Sequence, residues 1–212
     1  MNFYENPPGA VAGIILAAGR SSRMGRVKQL LPWQGSTILG EVLRQARLSC
    51  LDSLTVVLGH EAERIIRAVD LKGEQRVINP DVDQGHSSSL QAGLASLPDT
   101  VQAAVFLLGD QPLVSAAVID KLVRAYHKLK APLFIPVYQG RRGNPVLIDR
   151  KLFPELMRLQ GDTGARVLFQ AYADSIHEVL VSEKGILQDI DTWAEYQDLL
   201  VQSASSNHPA HE

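Results

Sequence analysis

The sequence predicts an α/β fold in which helices cover a mostly parallel central sheet. Short apolar runs alternate along the chain with segments whose apolar residues recur at helical spacing. Such alternation is typical of right-handed strand–helix–strand units, which bury a parallel sheet between helices. With 212 residues, the chain suits a single domain, predicted over residues 1–201, with a short tail.

The elements follow from the apolar runs and from the spacing of the residues between them. Strands are predicted at residues 11–17, 54–58, 75–78, 103–108, 133–137, 146–148 and 175–181. Helices are predicted at 38–48, 61–69, 87–97, 115–128, a stretch ending near 159, 163–171 and 192–201. Residues 202–212 are polar and lack periodicity, so we expect them to be disordered.

Composition argues against several classes of protein. The formal net charge is −2, so no broad basic surface for nucleic acid is expected. No apolar run reaches the roughly 18 residues that a membrane span needs. The first residues do not resemble a signal peptide, so a cytoplasmic location is expected. Cys50 is expected to lie on an apolar helical face, where a buried structural thiol is favoured over a nucleophile.

A ligand site is expected at the loops after Leu16, Ile78 and Leu108, because parallel α/β sheets bind ligands at the carboxyl ends of their strands. The first loop reads LAAGRSSRMG over residues 16–25. Its glycines allow close backbone approach, and Arg23 and Lys28 can bind a triphosphate. The loop is neither a P-loop nor a G-x-G-x-x-G motif. The alternative is an ordinary strand-to-helix turn.

Two acidic segments are candidate magnesium ligands. Asp110 ends the fourth strand, where a carboxylate can hold Mg²⁺ against phosphate oxygens. Asp189 and Asp191 alternate along an extended segment and would therefore share a face. The alternatives are that Asp110 caps the helix from Ser115 and that Asp191 caps the last helix.

Three polar segments are candidates for binding the rest of the ligands. Residues 79–89 carry serines and free amides at a helix start, which suit a nucleobase or a phosphate. Ser87 as a plain helix cap is the alternative. His86 is expected either at the surface or behind the residues that contact the ligand. The turns at 141–145 and 161–166 are each suited to a second, anionic substrate. A solvated hairpin and a helix cap are the alternatives there.

Together these motifs resemble a known family over roughly residues 11–200. The runs LAAGxSxRMG, KxLLP, GxTIL and LGDQP resemble the sugar-nucleotide and cofactor nucleotidyltransferases. The later runs RGNPV (142–146), GDTGAR (161–166) and DIDT (189–192) resemble its molybdopterin cytidylyltransferase branch, among the MobA-like NTP transferases.

The resemblance implies a Rossmann-like three-layer nucleotidyltransferase fold, with a nucleotide-binding half near 11–112 and an acceptor-binding half near 113–201. It implies attack by a substrate phosphate on the α-phosphorus of CTP, with Mg²⁺ as cofactor and no side-chain nucleophile. The implied base and ribose contacts are Leu16, Ala17, Ala18, Gly19, Asn79, Ser87, Ser88 and Ser89. The implied catalytic residues are Lys28, Arg23 and Asp110, with Lys28 and Arg23 on the triphosphate. Asp110 and Asp191 would bind the metal, and the pterin would meet Arg142, Asn144, Gly161, Asp162 and Arg166.

The choice of nucleotide rests on two loops. The two loops read LAAG and GHSSSL in this chain, whereas the guanylyl-transferring branch has sequences like LAGG and GPLAG at these positions. The resemblance therefore implies CTP. The alternatives are GTP as the nucleotide and another small phosphate as the acceptor. Two other protein classes also remain, a dinucleotide-dependent oxidoreductase and a non-catalytic molybdenum cofactor carrier. The expected partners are CTP, molybdopterin and, transiently, a molybdoenzyme or its maturation factor.

Overall fold

A computed structural model of the chain describes residues 9–19, 24–71, 73–129 and 131–206. The central sheet contains β1 (Ala10–Ala17), β4 (Ser53–Leu58), β5 (Gln75–Ile78), β6 (Val101–Leu108), β7 (Leu133–Tyr138), β8 (Arg141–Arg142), β9 (Val146–Asp149) and β10 (Ile176–Leu180). A separate antiparallel hairpin consists of β2 (Pro32–Trp33) and β3 (Ser36–Thr37). All seven strands predicted from the sequence are present.

The sheet is mostly parallel, as predicted, with the order β10-β7-β9-β6-β1-β4-β5 and β8 paired to β7. Strands β6, β1, β4 and β5 run parallel, and β10 runs parallel to β7. β9 is antiparallel to both of its neighbours. A short polar turn joins β7 to β9 without a crossover helix, and such a connection can return the chain only in the opposite direction.

The helices are α1 (Ile38–Leu48), α2 (Ala62–Ala68), α3 (His86–Ala95), α4 (Ala116–Leu129), α5 (Phe153–Leu156), α6 (Leu168–Ala171) and α7 (Trp193–Ser206). Two predicted helices are therefore shorter than expected. The segment ending near 159 keeps one α-helical turn, and 163–171 keeps another after a 3₁₀ turn at Ala165–Val167. Gly161, at φ 65°, and the extended Gly164 keep the chain between them out of a helix.

The predicted disorder of residues 202–206 is wrong, because α7 continues to Ser206. Ser203 is buried, and its hydroxyl donates to the carbonyl of Leu200 at 2.9 Å. Packing of this face against the body of the protein thus extends a helix whose sequence lacks apolar periodicity. Residues 207–212 lie outside the described residues.

Two apolar layers flank the sheet and give the predicted three-layer arrangement. Adjacent residues of β1 point to opposite faces, so Ile15 joins one cluster and Ile14 the other. The first cluster is completed by α1, α2 and α4, and the second by α3, α5 and α6. A third cluster holds α7 against the β2–β3 hairpin through Trp33, Tyr196 and Leu199. No helix in the described part of the chain is long and apolar enough to cross a membrane.

Cys50 is exposed, so the expectation of a buried thiol on a helical face is wrong. α1 ends at Leu48, and Cys50 follows in the connection, where its amide donates to Asp120 Oδ1 at 2.8 Å. Partial burial of the sulfur and the nearby Asp120 carboxylate raise the pKa of the thiol to about 11. The thiol therefore stays protonated at neutral pH, which argues against a nucleophile.

Two leucines of α1 test the layer assignment with the same chemical change. Leu43 is fully buried beneath the sheet, whereas Leu48 is 64% exposed. We expect Leu43→Ala to lower the free energy of unfolding by about 2–5 kcal/mol, because it leaves a cavity in a packed layer. Leu48→Ala should change it by about 0.5 kcal/mol or less. Urea denaturation measures both, and equal losses would contradict the packing described.

Candidate active site

The loops predicted to form a site meet at one edge of the sheet. Leu16 is in register with Leu108, Ala17 with Leu58, and Leu58 with Ile78. Because these four strands are parallel, their carboxyl ends share that edge. The segments that follow them carry Ala18, Gly59, Asn79 and Asp110, and so come together as the sequence predicted.

An ammonium group held by two carboxylates lies at this edge. Lys28 Nζ donates to Asp110 Oδ2 and, at 2.9 Å, to Asp191 Oδ1. The three side chains are 12%, 17% and 33% exposed, respectively. Residues far apart in sequence are thus joined in a largely desolvated cluster, in which charge–charge interactions are stronger than at the surface. We call Lys28, Asp110 and Asp191 the acid–lysine centre.

Close backbone contacts fix the positions of these side chains. Gly109, which precedes Asp110, donates its amide to the carbonyl of Leu16 at 2.9 Å. A Cβ at Gly109 would lie 2.9 Å from the Cβ of Ala17, so a larger residue would push β6 away from β1. The amide of Ile190 donates to the carbonyl of Asp110 at 3.2 Å and brings the neighbouring Asp191 alongside. Lys28 opens a 3₁₀ turn ending at Leu30.

Neither carboxylate of the centre is used as a helix cap. At the start of α4, the hydroxyl of Ser115 accepts the amide of Val118. At the start of α7, Glu195 Oε2 accepts the amide of Thr192 at 2.8 Å, and Thr192 Oγ1 accepts the amide of Glu195 at 3.2 Å. This reciprocal pair is a capping box. The capping alternatives for Asp110 and Asp191 are therefore wrong.

Burial and charge together shift the pKa values of the centre. Burial raises the pKa of Asp110, the charge of Lys28 opposes this shift, and the carboxylates of Asp189 and Asp191 add to it. Burial alone would lower the pKa of Lys28, but Asp110 and Asp191 together raise it, so the ammonium stays charged. Among the described residues, two carboxylates thus contact the Lys28 ammonium, and the charge of Asp189 acts on Asp110.

The donor set fits a magnesium ion that is shared with a ligand. Asp110 and Asp191 offer hard oxygen donors close enough together to contact one cation, the Lys28 ammonium. In the described residues, no group of three or more His, Cys, Asp and Glu side chains forms a complete metal site. Mg²⁺ commonly takes one or two carboxylates and completes its shell with water and substrate phosphate oxygens.

The polar loop after β5 is brought to the same edge, but its side chains are occupied. Asn79 Nδ2 donates to the hydroxyls of Ser88 and Ser89 at 2.9 and 3.1 Å, and all three residues are buried. Ser87 is buried too, and its hydroxyl donates to the carbonyl of Gly161 at 2.9 Å. Ser87 is therefore not a helix cap, and His86 is exposed, as expected.

The amides expected to be free at the start of α3 are already bonded. Gly161 accepts the amide of Ser87 at 3.2 Å, and Asp162 Oδ1 accepts the amide of His86 at 3.3 Å. These two amides are therefore already used within the protein, and binding of a nucleobase or a phosphate by residues 79–89 stays a prediction. The 161–162 turn occupies that position because Gly85, at φ 99°, brings the two backbones together.

The predicted acceptor residues divide into two groups. Arg142 and Asn144 follow β7. Arg142 Nε donates to Glu178 Oε1 at 2.7 Å, and the backbone amide of Asn144 donates to the carbonyl of Ile186 at 2.9 Å. Gly161 and Asp162 instead contact the start of α3, and Arg166 is exposed in the adjoining 3₁₀ turn. Arg23, a predicted triphosphate ligand, lies outside the described residues.

Sequence reasoning missed two residues near the centre. The indole of Trp193 donates to the carbonyl of Met24 at 3.2 Å, and Arg26 lies over its ring at 5.9 Å from the centroid. Trp193 thereby joins the end of the glycine-rich loop to the segment that carries Asp191. Gln111 is buried, and its Oε1 has no hydrogen-bond partner among the described residues. A large aromatic residue directly after DIDT was the available signal for Trp193.

Comparisons with known proteins agree with this geometry. Nicotine blue oxidoreductase of Paenarthrobacter nicotinovorans is 30% identical, covering 90% of this chain and 96% of the relative. Molybdenum cofactor cytidylyltransferase of Escherichia coli is 29% identical over 86% and 92% of the two chains. The crystal structure of Rv0371c from Mycobacterium tuberculosis has a TM-score of 0.84 at 34% identity, covering 91% of this chain and 98% of that one. Rv0371c has also been crystallised in complex with manganese.

A family model confirms the nucleotidyltransferase fold. The MobA-like NTP transferase domain matches residues 13–176, which include Lys28, Asp110 and the 161–166 turn. The carboxyl-edge loops, Lys28 and Asp110 lie within that match, whereas Asp191 and α7 follow it in the sequence. The chain therefore belongs to the MobA-like NTP transferase family.

Proposed function

We propose that the protein transfers CMP from CTP to the phosphate of molybdopterin and releases pyrophosphate. The observation that carries the proposal is the acid–lysine centre, because it sets two carboxylates and an ammonium at the sheet edge where the glycine-rich loop begins. Such a centre can hold a metal–triphosphate complex and neutralise the charge that develops on it.

Each residue of the centre has a role in this reaction. Lys28, together with Arg23 beyond the described residues, binds the triphosphate and stabilises negative charge on its oxygens. Asp110 and Asp191 hold Mg²⁺, which supplies Lewis-acid neutralisation of the phosphates when it is bound. The manganese complex of Rv0371c supports a divalent cation in this family.

No side-chain nucleophile is required by this proposal. The attacking phosphate monoester is already anionic at neutral pH, so the protein has to align it with the α-phosphorus rather than deprotonate it. Cys50 has a raised pKa and lies in the connection after α1, so it is given no role in this reaction. Catalysis then rests on positioning and on charge.

The residues proposed to bind the acceptor lie in the second half of the chain. Arg142, Asn144 and Arg166 offer basic and amide groups, beside Gly161 and Asp162, for a pterin phosphate. The resemblance of GDTGAR and DIDT to the molybdopterin branch supports this choice. The name of the Escherichia coli relative supports it independently.

The packing at Ala18 supports the choice of nucleobase. This residue is buried, and its carbonyl would lie 2.5 Å from a Cβ placed on Gly59. The backbone around Ala18 is thus closely packed. We propose that the Ala18 methyl group narrows the base pocket beside the loop. A narrower pocket favours a pyrimidine over a purine, so CTP is the proposed nucleotide.

A second candidate, a dinucleotide-dependent oxidoreductase, is favoured by one observation, the name of the Paenarthrobacter nicotinovorans relative. The first loop lacks G-x-G-x-x-G, and β4 ends in Leu58 and is followed by Gly59 and His60, where an acidic residue would bind a ribose. Oxidation of NADH or NADPH with nicotine blue as acceptor tests this candidate directly.

Pyrophosphate release tests the proposed reaction. The purified protein is mixed with Mg²⁺, molybdopterin and either CTP or GTP. We expect turnover with CTP that requires the pterin and stops when EDTA removes the metal. Turnover with GTP but not with CTP would overturn the assignment of the base. Nucleotide binding without turnover would move the function to another phosphate acceptor or to a cofactor carrier.

The base assignment makes its own prediction. Ala18→Gly removes the methyl group beside the nucleotide loop and widens the space at this point. The ratio of kcat/KM for CTP to that for GTP should fall by roughly tenfold, since one buried methyl group discriminates by about that much. Steady-state pyrophosphate release measures the ratio. An unchanged ratio would show that Ala18 does not select the base.

Asp110 tests the proposed metal role. Asp110→Asn should lower transfer by at least about a hundredfold, as expected for loss of a charge that stabilises the transition state. The thermal midpoint without ligand should stay the same or rise, because burial penalises this carboxylate. Asp189→Asn is the matched control. Asp189 is exposed and acts on Asp110 through its charge, so we expect a loss of about fivefold or less.

A parallel collapse of stability and activity in Asp110→Asn would contradict the metal role and indicate a structural one. Equal losses of activity in the two variants would contradict the choice of Asp110 as the ligand.

A further inference from the structure

The start of α3 and the 161–162 turn form a junction between the two halves of the chain. Two hydrogen bonds reach the carbonyl of Gly161, one from the Ser87 hydroxyl at 2.9 Å and one from the Ser87 amide at 3.2 Å. A third runs from the amide of His86 to Asp162 Oδ1 at 3.3 Å. We call the contact between residues 85–87 and residues 161–162 the 87–161 junction.

The backbones approach so closely that no side chain fits between them. A Cβ at Gly85 would lie 2.4 Å from the carbonyl carbon of Gly161 and 2.7 Å from the amide of Asp162. These are backbone atoms, which cannot turn aside as a flexible side chain can. Gly85 also has φ 99°, a conformation that other residues rarely adopt. The contact is therefore built into the fold.

The junction connects the two substrate-binding regions of the proposed function. On one side, Ser88 and Ser89 follow directly and hold Asn79 in the predicted nucleotide region. On the other side, the turn continues through Gly164 to Arg166 in the predicted acceptor region. Within the junction, the side chains of Ser87 and Asp162 join the two segments.

We propose that Ser87 and Asp162 are positioning residues which couple nucleotide binding to the order of the 161–166 turn. This inference rests on the proposed function for the assignment of the two regions. Their polar atoms are used by the junction, so these residues act through the loop and not on the ligands. Nucleotide bound beside Asn79 restrains the start of α3 and, through the junction, pre-orders the turn that receives the acceptor.

The coupling works in both directions, because linkage between two binding sites is reciprocal. The acceptor should bind more tightly to the nucleotide-loaded protein than to the free protein. A merely structural junction would stabilise the fold equally with and without nucleotide.

Hydrogen exchange of the full-length protein tests the proposal without an acceptor. Saturating Mg²⁺ and CTP, checked by calorimetry, should slow exchange in residues 161–168 by about fivefold or more, the lower end of typical coupling. In Ser87→Ala and in Asp162→Ala the slowing should fall below about twofold while nucleotide stays bound.

Gln91→Ala is the matched control. Gln91 also joins α3 to the second half, donating to the carbonyls of Leu159 at 2.8 Å and Met157 at 3.2 Å, but it lies outside the junction. This variant should keep the nucleotide-dependent slowing of the wild type. The thermal midpoint of each of the three variants shows whether it folds. If one of the two junction variants fails to fold, the other still tests the coupling.

Three outcomes would overturn the coupling. The first is unchanged exchange at residues 161–168 when nucleotide binds the wild-type protein. The second is full slowing in the junction variants, and the third is loss of the slowing in Gln91→Ala. Each of these leaves nucleotide binding, and hence the proposed function, intact. If neither CTP nor GTP binds in calorimetry, the proposed function fails together with the inference.

Discussion

The sharing of one ammonium group by two carboxylates is the constraint on which the site depends. Lys28 follows the glycine-rich loop, Asp110 follows β6, and Asp191 precedes α7, so three separate connections must end within hydrogen-bond distance of one nitrogen. Partial burial makes any mismatch costly, since an unpaired charge in that environment is poorly solvated. The surrounding contacts can be understood as fixing those three connections.

The third apolar cluster fixes the position of the connection that carries Asp191. Trp33, Tyr196 and Leu199 pack α7 against the β2–β3 hairpin, and the Tyr196 hydroxyl donates to the carbonyl of Pro32 at 2.6 Å. Trp193 adds its bond to the carbonyl of Met24. The last helix therefore packs against the predicted nucleotide-binding half in space, although it lies in the predicted acceptor-binding half in sequence.

The sequence was sufficient to predict the strands, their carboxyl edge and the acidic and basic residues there, because apolar periodicity and loop chemistry are local. It did not predict the antiparallel β9 or the single-turn α5 and α6, since a tight turn and two glycines overrode the pattern. The pairing of Ser87 with Gly161 is a contact across 74 residues, which no local pattern encodes. Burial of Ser203, which extends α7, likewise depends on tertiary packing.

The most direct test of the acid–lysine centre is a crystal structure with Mg²⁺ and a CTP analogue whose α–β bridging oxygen is replaced by methylene. Our account predicts one metal ion that contacts Asp110, Asp191 and phosphate oxygens, with the Lys28 ammonium moved onto the triphosphate. A nucleotide bound elsewhere, or Lys28 still held between both carboxylates with the metal absent, would contradict it.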